Sequence, residues 1–188
     1  MIDENAFGLL IAYLSIEDDE YAGEREDFVT RYKAFSAVLR ARLHNEPPSA
    51  SARAIELGHA FYVEVIQGDN ECDVIAWLRA TRVELSELGY LTAGILTYGS
   101  SWYDVAEPHP SVTDLGTSKF VNVSGPSEPL RRALCADAAS RGNEDSDAAG
   151  WGPGLYLDVD AVDALGRKPK NQPTILRSGG AEYFRAGS

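Results

Sequence analysis

The chain has 188 residues, of which 44% are hydrophobic, and a formal net charge of −12. That is enough apolar material for one well-buried core, and a disordered chain is excluded as an expectation. So negative a surface repels phosphate backbones and anionic headgroups, which argues against nucleic acid and membranes as partners.

The chain opens with Met1-Ile2-Asp3-Glu4-Asn5, without the basic start and long apolar run of a secretory signal. Its longest apolar stretch, Phe7 to Leu14, is about eight residues, far below the roughly twenty of a membrane-spanning helix. The expected location is cytoplasmic. The two cysteines, Cys72 and Cys135, are far apart in sequence and read as reduced, half-buried thiols.

Gly8 to Ile16 reads as a buried strand by its length and flanks, closed by the acidic run Glu17-Asp18-Asp19-Glu20. From about Glu24 to His44, Phe28, Tyr32, Phe35, Leu39 and Leu43 recur at steps of three and four, which predicts one apolar helix face. Pro47-Pro48 stops that helix. Ser51 to Leu57 predicts a short strand, and Gly58-His59 turns it into a second one at Ala60 to Ile66. Both faces of that second strand are largely apolar, so it belongs in the middle of a sheet.

Asp69 or Asn70 is placed to cap a helix from about Glu71 to Leu88, with Val74, Leu78, Thr81, Leu85 and Leu88 as its core stripe. Gly89 ends it, and Leu91 to Tyr98 forms the next strand. In order, residues 7–98 give strand, helix, strand, strand, helix, strand. The expected fold class is therefore α+β, a ferredoxin-like βαββαβ sandwich.

The rest reads as a C-terminal α/β extension of the same domain, so that 1–188 is one unit. Gly99 to Gly116 reads as a loop, Lys119 to Val123 as a strand, and Leu130 to Ser140 as a helix started by Ser127, Glu128 and Pro129. Leu155 to Val159 predicts a strand, with Asp160 capping a short helix that ends at Gly166. Gly179-Gly180 between Thr174–Arg177 and Ala181–Phe184 signals a hairpin.

Chemistry is sparse. His44, His59 and His109 have no zinc spacing among themselves or with the cysteines. Asn143 to Asp147 starts like a calcium loop, but the glycine comes late and Gly154 stands where a bidentate Glu is needed. Asp158 and Asp160 share a strand face and could hold a divalent cation; the simpler reading is a helix cap beside solvated carboxylates. Gly150, Gly152 and Gly154 precede a strand, so they form no dinucleotide loop. Gly99-Ser100-Ser101-Trp102 lacks the pattern of an esterase serine. No cofactor, metal or catalytic set is expected.

The expected function is a non-catalytic acidic protein-binding module, such as an immunity or inhibitor protein, that docks on a basic partner protein. Its docking surface would combine Glu17, Asp18, Asp19 and Glu20 with Tyr98, Trp102 and Tyr103, aromatic anchors read as loop residues. The alternative is a small-molecule binder or small enzyme. Its pocket would be lined by His59, Tyr62 and Tyr98, with Asp158 or Asp160 as the polar group.

Overall fold

A computed structural model describes residues 2–16, 25–49, 52–66, 73–103, 114–115, 118–120, 127–141, 151–166 and 175–186. The strands are β1 (Ile2–Ile16), β2 (Arg53–Glu56), β3 (Ala60–Ile66), β4 (Tyr90–Tyr103), β5 (Asp114–Leu115), β6 (Ser118–Phe120), β7 (Gly154–Asp158), β8 (Ile175–Ser178) and β9 (Ala181–Ala186). The helices are α1 (Arg25–Asn45), α2 (Val74–Glu87), α3 (Glu128–Ser140) and α4 (Val159–Ala164). The fold is mixed α+β.

All nine described strands form one sheet in the order β5-β6-β2-β3-β1-β4-β7-β9-β8. β1 runs antiparallel to β3 on one side and to β4 on the other, and β2 runs antiparallel to β3. β7 joins β4 in parallel, with β9 and β8 following antiparallel. A parallel pair needs a crossover segment, and α3 lies in the one between β4 and β7.

Alternation sends side chains of the central strands to two faces. Leu9, Ile11, Phe61 and Val63 meet Phe35, Leu39 and Leu43 of α1, Val74 and Leu78 of α2, and Val162 of α4. Leu10, Ala12, Tyr62 and Ile95 meet Ala133 and Ala136 of α3. The six-residue buried run in β3 reflects this double cover. Each buried Leu or Phe stabilises the fold by about 2 kcal/mol relative to leaving it exposed.

Where sequence reading and structure differ, long-range pairing decides. The expected loop from Gly99 begins instead as strand, because Ser100–Tyr103 pair with Ile2–Asn5, residues outside the expected first strand. The α2 cap is Asp73, whose side chain accepts from the Ala76 amide, not Asp69 or Asn70, which lie outside the described residues. Leu88 is 55% exposed and falls out of the core stripe. The cap of α4 is Asp158, not Asp160, which sits in the first turn. The hairpin at Gly179-Gly180 is present, with φ of +55° and +76° that favour glycine.

Gly8 sets how closely α3 approaches the sheet. A Cβ there would come within 2.7 Å of the Tyr62 hydroxyl and 2.8 Å of both Pro129 Cβ and Thr97 Oγ1. Two of these atoms sit on packed strands and one on the first turn of α3. We therefore expect Gly8→Ala to cost about 1–3 kcal/mol, as overpacked cores do. The measurement is the urea midpoint, and an unchanged midpoint would reject this account of α3 docking.

Candidate functional site

The N-terminus of α3 is built by short polar residues. The Ser127 hydroxyl accepts from the Leu130 amide at 3.2 Å, and Pro129 occupies the first turn, where its missing N–H costs nothing. Thr97 donates to the Pro129 carbonyl at 2.8 Å. Beneath this cap lies Glu64, only 2% exposed. Its carboxylate accepts from the Tyr62 hydroxyl at 2.7 Å, from Ser127 at 3.1 Å and from Ser101. Burial first, then the neighbouring carboxylate, holds the Tyr62 phenol well above the usual tyrosine range.

One turn further along α3, Arg132 is the centre of a second cluster. Its guanidinium donates to Glu128 at 2.7 Å, to Asp158 at 3.2 Å, to the Tyr98 carbonyl at 3.3 Å and to Asp160. Burial alone would lower the pKa of Arg132. The hydrogen bonds to Asp160, Glu128 and Asp158 outweigh it and push the group above the usual arginine range. Asp158 is 1% exposed, and its other contacts are the amides of Ala161 at 2.6 Å and Tyr98 at 3.3 Å. The ion pair favours charge on both partners. At Asp158 burial still wins, and its pKa is raised from 3.8.

Two cavities flank this cluster. One, of ≈ 380 Å³, lies between α3, α4 and the β8–β9 turn and includes Arg131, Gly180 and Glu182. The other, of ≈ 400 Å³, lies between α4 and β4 and includes Tyr98, Ser100 and Asp163. Glu128, Arg132 and Asp160 line both. Together the linings present four carboxylates (Glu128, Asp160, Asp163, Glu182) against two guanidiniums (Arg131, Arg132).

Tyr98 belongs to β4, with its ring 4.9 Å from that of Phe7 and half-buried. The backbone of Trp102 and Tyr103 is also in β4, opposite Asp3 and Ile2, so the two residues lie in a strand and not in a loop. Glu17, Asp18, Asp19 and Glu20 lie outside the described residues. The alternative pocket of His59, Tyr62 and Tyr98 does not form: each joins a different cluster. His59 Nε2 lies 2.6 Å from Asp137 Oδ2, and Arg141 donates to Asp137 Oδ1 at 2.9 Å and to the Tyr13 carbonyl at 2.7 Å. Asp158 and Asp160 do share a cation, and it is the Arg132 guanidinium. Among the described residues, no three His, Cys, Asp or Glu side chains are grouped to hold a metal ion, and no helix is long and apolar enough to cross a membrane. Cys135 is a free thiol in α3, and Cys72 lies outside the described residues.

Sequence reasoning missed Glu64, Glu128, Arg132, Asp137 and Arg141 as site residues. The pairs Glu128–Arg132 and Asp137–Arg141 stand at i,i+4 across the two ends of the helix expected from Leu130 to Ser140, a usable signal. Glu64 gave none, since its donors come from three separate segments.

No family model and no curated sequence matches this chain. Among solved structures, 14 chains match. One is the guanylyl cyclase Cya2, similar with a TM-score of 0.50 and 10% identity over 98% of this chain and 92% of that one. The likeness concerns the fold alone.

Removing Arg132 leaves a buried, uncompensated Asp158. Arg132→Met is expected to cost about 3–5 kcal/mol in denaturant unfolding; a loss below about 1 kcal/mol would show that the cluster is superficial. Asp158 also predicts a pH dependence. Its folded pKa is raised, so the folded state takes up a proton more readily than the unfolded chain. Stability from this group is fully present below pH 3.8 and is lost as pH rises through the folded pKa. Asp158→Asn keeps a capping oxygen but does not titrate. Wild-type stability relative to this variant should therefore fall between pH 3.5 and neutrality, read by paired urea titrations at about these two values.

Proposed function

We propose that this chain is a non-catalytic acidic binding module that docks on a basic partner protein, as an immunity or inhibitor protein would. The observation that carries the reading is the acid excess around the two cavities that adjoin Arg132. Arg132 is taken up by Glu128, Asp158 and Asp160, so Asp163 draws nothing from it, and Glu182 meets the exposed Arg177. The exposed Arg177–Glu182 pair is worth little and can be exchanged for a partner's cation. With a net charge of −12, the field of the whole chain would steer such a partner at long range.

The fold reading belongs to this proposal. The antiparallel order β2-β3-β1-β4, joined by α1 and α2, supports a ferredoxin-like core onto which α3 and the C-terminal strands are added. Such a core hosts many functions, so the docking reading rests on the charge and not on the fold.

The test begins with affinity capture from lysate of the source cells at low and high salt, followed by measured affinity for any basic protein retained. The double variant Asp163→Lys, Glu182→Lys should weaken that affinity roughly tenfold, mainly through association rate, with little change in melting temperature. Asp18→Lys with Asp19→Lys tests the acidic run after β1 in the same assay. Unchanged affinity in both double variants would remove the proposal.

A further inference from the structure

We draw no further inference here: the strongest candidate, the cavity between α3, α4 and the β8–β9 turn that sets Arg131 beside Asp160 and Glu182, belongs to the acidic site already described, and nothing in the structure shows what occupies it.

Discussion

The structure depends on the central ladder in which β1 is hydrogen-bonded along both edges and buried on both faces. A strand in that position cannot leave a face to water, because Leu9 and Ile11 point one way and Leu10 and Ala12 the other. Two layers of cover are then required. α1, α2 and α4 supply one and α3 the other. Since α3 also lies in the crossover that makes β7 parallel to β4, covering the second face and extending the sheet are one event. The C-terminal strands are consequently continuous with the first four.

This arrangement buries three carboxylates near α3, and each is satisfied differently. Glu64 receives three hydroxyls, Asp137 receives His59 and Arg141, and Asp158 receives Arg132 and two main-chain amides. A buried charge without such partners would cost several kcal/mol. The three sites fall at the start, middle and end of α3, so together they fix its position along the sheet as well as its distance from it. The polar groups of these three sites are thereby engaged in holding a helix. Asp137 illustrates this, for both of its oxygens are occupied while His59 remains 39% exposed.

How much of this the sequence disclosed follows from the range of each interaction. Local signals were legible. The three-and-four spacing of Phe35, Leu39 and Leu43, the apolar run of Ala60 to Ile66 and the Gly179-Gly180 turn all gave their elements to within a residue or two. Features created by pairing at a distance were not. Ser100–Tyr103 show no apolar–polar alternation to announce a strand, and Ile2–Asn5 lie alongside them as their pairing partner. Asp158 reads as a solvated strand-end residue until Arg132 and the Tyr98 amide close over it. Of the candidate site, Tyr98, Asp158 and Asp160 were named in advance. Their common partner was not, because nothing in residues 155–166 points to a helix about thirty positions earlier.

The distribution of charge is therefore more structured than a net value of −12 suggests. Internal pairs absorb much of the basic complement: Arg40, Arg42, Arg132, Arg141 and Arg177 each meet a carboxylate. Those pairs differ in what salt does to them. The exposed Arg177–Glu182 pair is screened as ionic strength rises, whereas Asp158, 1% exposed, is shielded from counter-ions by the protein around it. Salt therefore weakens the surface charges before it reaches the contacts that hold α3 against the sheet.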